Sequence, residues 1–277
     1  MERLAAILII FCLLLLVTLP SPIYILSSGL THAVHQVLFA WETRGWDTLE
    51  SDHFLVKYQE GDEESAVLTL KEAERVYHPL GQYFGCFPAK KVPIAIYQDR
   101  ASLNRVFGWG SEEGAMGVYW SGVIRILSPD EWLDEVPSRG REVLFSQQGP
   151  IAHEYIHLLV DYQTRGNYPR WLTEGLAQFG EKHLVGMETE EGVGLPLQFS
   201  LDELNKRFED SQWQDYCYAV SEDLVGFLIS SYGPDKVPLL LNELGRGADL
   251  DTAFQRVYGL DTYNFIEQYQ GKIKQNV

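Results

Sequence analysis

Two histidines four residues apart, in His153-Glu-Tyr-Ile-His157, constrain the fold of this chain more than any other feature. They converge on one point only if the segment is helical, where positions i and i+4 lie one turn apart on the same face. A loop carrying Gly166, Asn167 and Pro169 follows, and then Trp171-Leu-Thr-Glu-Gly-Leu-Ala-Gln-Phe179. That order predicts a second helix folding back antiparallel to the first, with Glu174 opposite the imidazoles. Two imidazoles, one carboxylate and an open fourth position make a standard catalytic zinc set. A zinc so held keeps net positive charge and lowers the pKa of a bound water, and Glu154 stands beside that position. The five-residue motif alone has a bland reading, in which two unrelated histidines sit on a helix whose Ile151, Tyr155, Leu158 and Leu159 simply pack. The Trp-Leu-x-Glu-Gly segment downstream is what makes the pattern specific.

Around this pattern the signals divide the chain in two. Strands are predicted at 54–58, 92–97, 115–120 and 123–127, the last two joined by a Ser121-Gly122 turn, with helices over 63–84 and 100–107. After about residue 140 helical periodicity dominates, at 150–162, 171–184, 201–208, 216–231, 235–245, 249–257 and 262–273. The fold class is therefore α+β, a small N-terminal sheet lobe followed by a helical lobe. With 39 acidic against 22 basic side chains, the net charge is -17. This argues against nucleic acid, whose binding needs Lys and Arg on phosphates, and against adhesion to anionic lipid. Cys12, Cys86 and Cys217 are too few for a disulfide scaffold; Cys86 and Cys217 either pair or stay as free thiols. The acidic runs from Asp130 to Glu135 and from Glu188 to Glu191 read as solvated loops.

From Leu4 to Leu26 the chain carries no charge, long enough for a bilayer core at ~1.5 Å per residue. The expectation is a signal anchor or transmembrane helix over 1–26, a juxtamembrane linker over 27–50 that reads as a stalk or short amphipathic helix, and a catalytic domain over 51–277. That domain has its sheet lobe at about 51–145 and its helical lobe at about 146–277. The rival is a cleaved signal peptide, with Ser27-Ser28-Gly29 the nearest cleavage site. Either way the domain is expected outside the cytoplasm, at the cell membrane or secreted.

The stretches His153-Glu-Tyr-Ile-His157 and Pro169-Arg-Trp-Leu-Thr-Glu-Gly-Leu-Ala177 resemble the gluzincin metallopeptidases, particularly the peptidase MA-like group. The resemblance implies a thermolysin-like zincin fold, one Zn2+ per chain, and peptide or protein substrates. It implies His153, His157 and Glu174 as zinc ligands and Glu154 as general base. Tyr218 is the candidate oxyanion donor by the same resemblance, since a tyrosine on a later helix plays this part in related enzymes; a buried tyrosine anchoring its helix is the rival reading. His183 is an outside candidate. Thermolysin-type enzymes often place an aspartate four residues after the glutamate ligand to orient the first histidine. Gln178 stands there, and a neutral acceptor implies weaker zinc binding. Gly114-Ala-Met-Gly-Val118 is similar to the strand on which zinc aminopeptidases hold a substrate's N-terminus, but Gly117 replaces the amine-binding glutamate, which favours an endopeptidase. The strand 123–127 is expected to be the sheet edge that pairs with substrate, with Trp109, Tyr119 and Trp120 as candidate lining of the cleft. Two alternatives stay open: a non-catalytic binding module at the cell surface, and hydrolysis of a non-peptide amide.

Overall fold

The computed structural model describes residues 21–110, 114–133, 135–186 and 194–276. It opens with α1 (Ser21–Glu42), β1 (Asp47–Glu50), β2 (Phe54–Tyr58), α2 (Glu63–Phe84), β3 (Val92–Tyr97) and α3 (Arg100–Phe107). The hairpin of β4 (Gly117–Trp120) and β5 (Val123–Leu127) comes next, then α4 (Asp130–Leu133) and α5 (Ser138–Gln148). The five strands form one sheet in the order β1-β2-β3-β5-β4. β2, β3 and β5 run parallel, and β1 and β4 close the two edges antiparallel.

Alternation along the strands gives the sheet two buried faces, as a period of two requires. Phe54, Val56, Ile94, Ile96, Ile124 and Ile126 face the main core with α2, whose Ala66, Ala73, Val76, Tyr77 and Leu80 recur at helical spacing. Ala95, Tyr97, Val123 and Leu127 face the other way, against Phe39 of α1 and Leu103 of α3. The sheet is thus the middle of three layers. α2 ends where expected, at Gly85 in the left-handed conformation.

The helical half comprises α6 (Ile151–Thr164), α7 (Arg170–His183), α8 (Leu201–Arg207), α9 (Gln214–Tyr232), α10 (Lys236–Gly245), α11 (Leu250–Tyr258) and α12 (Thr262–Asn276). α6 is the hub. It packs against α2, α7, α10, β4 and β5, and Ile151, Ala152, Tyr155, Ile156, Leu158, Leu159 and Val160 are all buried. A helix apolar around most of its circumference has to sit inside, so the imidazoles it carries are held in a rigid frame.

The α+β division follows the sequence reading, with three differences. The stretch 27–50, expected to be a juxtamembrane stalk or short amphipathic helix, supplies most of α1 and also an unpredicted edge strand, β1, and it packs on the sheet: Phe39 is buried, and Glu42 pairs with Arg125 at 3.1 Å. Second, α4 and α5 lie where no element is predicted. Third, β5 is internal, between β3 and β4, so the free edge beside the helical lobe is β4 and not 123–127. Cys86 and Cys217 are free thiols. The predicted anchor lies mostly outside the described residues; its last part, 21–26, forms the start of α1, and among the described residues no helix is long and apolar enough to cross a membrane. Cys12 and the acidic run from Glu188 to Glu191 also lie outside them.

Candidate metal centre

Each of the two helices that build the site begins at a proline. Pro150 caps α6, its carbonyl accepting from Glu154 N–H at 3.0 Å, so the helix is established within a turn of His153. Arg165, in the left-handed conformation, ends α6. Asn167 then fastens the loop by donating its side-chain amide to Leu244 O at 2.7 Å and Ala248 O at 2.9 Å. Pro169 starts α7, which returns along α6 as the sequence predicts.

This brings Glu174 Oε2 to 3.4 Å from His153 Nε2 and 3.4 Å from His157 Nε2. The imidazoles lie edge to face, 4.6 Å between centroids, and one ligand atom from each of the three residues falls within 4.8 Å of the others. Among the described residues these three are the His, Cys, Asp and Glu group close enough to hold a metal ion. Glu174 Oε2 is buried and makes no hydrogen bond among the described residues. A carboxylate oxygen orphaned between two imidazole nitrogens is costly unless a cation sits there. Ligand atoms ~2.0–2.1 Å from a tetrahedral zinc stand about 3.3 Å apart, which the two measured separations match. The triad is therefore positioned to bind a metal.

The far sides of both rings are fixed. His153 Nδ1 lies 3.0 Å from Glu181 Oε2, and His157 Nδ1 lies 2.7 Å from Thr173 Oγ1. With each Nδ1 turned outward to these partners, Nε2 is the nitrogen that each ring turns toward the Glu174 oxygen. The orienting partner of His153 is thus a carboxylate, and it is not residue 178. Glu181 takes the part because it lies seven residues beyond Glu174, two turns along the same face of α7. The weaker zinc binding expected from Gln178 falls with that assignment. Glu181→Ala is expected to weaken zinc binding by about 10–100-fold with the fold intact, in a titration against a competing chelator; unchanged affinity would remove Glu181 from the site's support.

In the metal-free chain these charges act on one another. Burial alone would lower the His153 pKa, but Glu181 and Glu174 hold it well above the ordinary value. Burial would likewise raise Glu174, yet the imidazoles of His157 and His153 keep it well below the carboxylate range. A metal has to displace the proton held on His153, so uptake improves as pH rises. Glu154 is buried beside the triad; burial raises its pKa, opposed by His153 and His157.

Glu154 also fixes the edge strand. Tyr119 N–H donates to Glu154 Oε2, and the Tyr119 hydroxyl, bonded to Asp161 two turns further along α6, holds the same strand a second time. Asp161 is also held by His32 of α1, Nε2 to Oδ2 2.8 Å. Gly117 lies against α6 so closely that a Cβ would stand 2.6 Å from Pro150 Cβ and 2.9 Å from Glu154 Cγ. No glutamate side chain fits there, which accounts for the departure from the aminopeptidase pattern.

The remaining candidates separate. Tyr218, on α9, stands edge to face with Phe208; burial raises its phenol pKa, and the charge of Glu174 adds to the shift. His183 packs on Phe179 and is not among the three residues close enough to hold a metal ion. Trp109 stacks on Phe107, and Trp120 stands edge to face with His35 of α1. Sequence reasoning missed Arg170, whose Nε is 3.5 Å from Glu174 Oε1 and whose guanidinium covers the Phe208 ring at 4.8 Å. Its spacing of four residues from Glu174 was the available signal.

The family model described as Peptidase MA superfamily matches residues 140–275, the part of the chain that carries both metal-site helices. The match supports a metallopeptidase of the zincin-like kind, and the mixed α+β architecture is consistent with it. No curated protein matches the chain significantly.

Proposed function

We propose that this protein is a zinc-dependent endopeptidase, anchored at the cell membrane with its catalytic domain outside the cytoplasm. The observation that carries the reading is the orphaned Glu174 oxygen 3.4 Å from both imidazoles, with a buried carboxylate, Glu154, alongside. His153, His157 and Glu174 would hold the metal. When bound, zinc supplies a Lewis acid and lowers the pKa of water toward neutrality.

Glu154 acts as general base, taking a proton from water and delivering it to the departing amine nitrogen. Its burial beside the triad places the carboxylate where it can hold that proton between the two steps. The Tyr119 N–H occupies Oε2, so Oε1 is the oxygen we assign to the reacting water. Tyr218 is our candidate donor to the oxyanion that develops on the peptide carbonyl. The substrate pairs with β4. Tyr119 N–H points away from β5, whereas Met116 O accepts from Leu127 N–H. By strand alternation Gly117 then offers its N–H and C=O along the open edge.

Metal analysis of the purified protein tests the reading. About one zinc per chain is expected, lost in His153→Ala; a wild-type chain that takes up no zinc when it is supplied would sink the proposal. A non-catalytic binding module needs Glu154 only as the acceptor of the Tyr119 N–H, a part that a neutral glutamine plays as well, so the choice of a carboxylate beside the triad favours catalysis.

A further inference from the structure

The helix α1 is half used. One face is committed to the protein: His32 bonds Asp161, Phe39 is buried against β3 and β5, and Glu42 pairs with Arg125 and accepts from the Tyr97 hydroxyl. On the other face Leu30, Val37, Leu38 and Trp41 are 60%, 70%, 50% and 75% exposed. Their spacing of 7, 8 and 11 residues from Leu30 keeps them on one stripe at 3.6 residues per turn. Four large apolar side chains left on one stripe need an occupant. Beside the stripe, Leu38 and Trp41 continue into a groove of about 510 Å³ shared with Trp46 and Val106.

We propose that this stripe lies in the interfacial layer of a lipid bilayer of neutral headgroups. Three observations select that occupant over a second copy of the chain. From Leu4 to Trp41 the sequence contains no Asp, Glu, Lys or Arg, although the whole chain carries -17. The stripe therefore continues the apolar run before it without a charged break. A helix with one apolar face inserts that face to the headgroup boundary, and Trp41, apolar in body with a polar N–H, is a residue type enriched at that depth. Finally, a net charge this negative disfavours anionic surfaces and leaves neutral lipid as the compatible one.

The seat bears on the substrate, a consequence that rests on the peptidase reading. α1 is tied to the edge strand through His32, Asp161 and Tyr119, and the Trp120 ring at the end of β4 stands edge to face with His35. A bilayer under α1 therefore holds the edge of β4 close to the membrane surface. The substrate class is extended peptide segments presented there, on membrane-bound or membrane-adsorbed polypeptides.

Full-length protein in phosphatidylcholine vesicles tests both parts. The share of tryptophan emission lost in Trp41→Phe is expected to be quenched by bromine-bearing lipid and not by aqueous iodide. Val37→Asp, exposed and away from the metal site, is expected to reverse that pattern while the protein stays on the vesicles. Quenching of the Trp41 share by iodide in the wild type, or protein that stays off the vesicles, overturns the seat. Protection from both quenchers together with a doubled mass overturns it in favour of a second copy.

For the substrate, one peptide library is offered free and tethered to lipid. Wild type should cleave the tethered form at least about tenfold faster, an effective-concentration gain that Val37→Asp loses without slowing cleavage of the free form. Equal rates on both overturn the substrate class while leaving the quenching result to stand for the seat. Cleavage of neither overturns the peptidase reading, and the substrate class with it.

Discussion

If the protein is the zinc peptidase proposed above, Glu154→Gln is expected to bind zinc as the wild type does and to lose hydrolysis by about 10²–10⁴-fold, the range that a positioned general base contributes. The loss corresponds to about 3–5 kcal/mol of transition-state stabilisation. The substitution is nearly isosteric, so the reasons must be chemical. A glutamine side chain cannot carry a proton from water to an amine. Its oxygen can still accept the Tyr119 N–H that now goes to Glu154 Oε2, so β4 should stay docked on α6. The ligand set of His153, His157 and Glu174 is untouched, and so are the Glu181 and Thr173 contacts behind the rings. Turnover of a quenched-fluorescent peptide library and metal content of the same preparation separate the cases. Zinc retained with cleavage gone supports catalysis through Glu154. Cleavage within a few-fold of wild type would mean that another group moves the proton. A Glu154→Gln chain that also loses its metal would mean that Glu154 supports the site rather than reacting in it.

The parts of this molecule that sequence patterning revealed are those whose cause is local. α2 was legible to the residue because its apolar positions repeat at helical spacing and Gly85 supplies the left-handed stop. The convergence of His153, His157 and Glu174 was legible for the same reason: two imidazoles one turn apart and a carboxylate on the returning helix need only helical geometry. What stayed hidden depends on pairing across the chain. β5 and β4 were both foreseen as strands, but which of them forms the edge is set by β5 inserting parallel to β3, and period-two alternation says nothing about neighbour order. β1, with the sequence Asp-Thr-Leu-Glu and little burial, has no apolar pattern to announce it; it exists because β2 offers it an unpaired edge. Glu181 was hidden by a family habit that looks four residues past the glutamate ligand, whereas the face of α7 repeats at seven residues as well. The role of α1 was hidden because its uncharged sequence reads as a continuation of the segment before it, while its buried face depends on Arg125 and Asp161, both far away in sequence.

Gly175→Ala is expected to destabilise the protein by about 2 kcal/mol or more, although alanine is the better helix former by about 1 kcal/mol. The glycine of the Trp-Leu-Thr-Glu-Gly segment faces α9 at close range. A Cβ there would stand 2.2 Å from Ser221 O, 2.7 Å from Ser221 C and 2.7 Å from Val225 Cγ2. The nearest atom is backbone of a helix interior, which cannot swing aside as a flexible side chain would, so α7 and α9 must separate. Overpacking a tight contact typically costs about 1–3 kcal/mol, and a backbone obstacle puts this case at the upper end. For a domain of this size the loss should lower the melting temperature by roughly 5–10 °C. Because Glu174 precedes the glycine, the displaced helix also carries the proposed metal ligand out of register, so chelator competition should show weaker zinc binding in the same variant. Gly226→Ala on α9 is the control: among the described residues, nothing beyond its own stretch of helix lies within 4 Å of its Cβ position, so helix propensity alone should act, raising stability by up to about 1 kcal/mol. Opposite signs for two glycine-to-alanine changes on the same packed pair would establish that the α7–α9 approach, rather than helix propensity, fixes where Glu174 stands. An alanine at 175 that melts with the wild type and binds zinc as tightly would show that the two helices have room to spare, and the ligand's position would then need another cause.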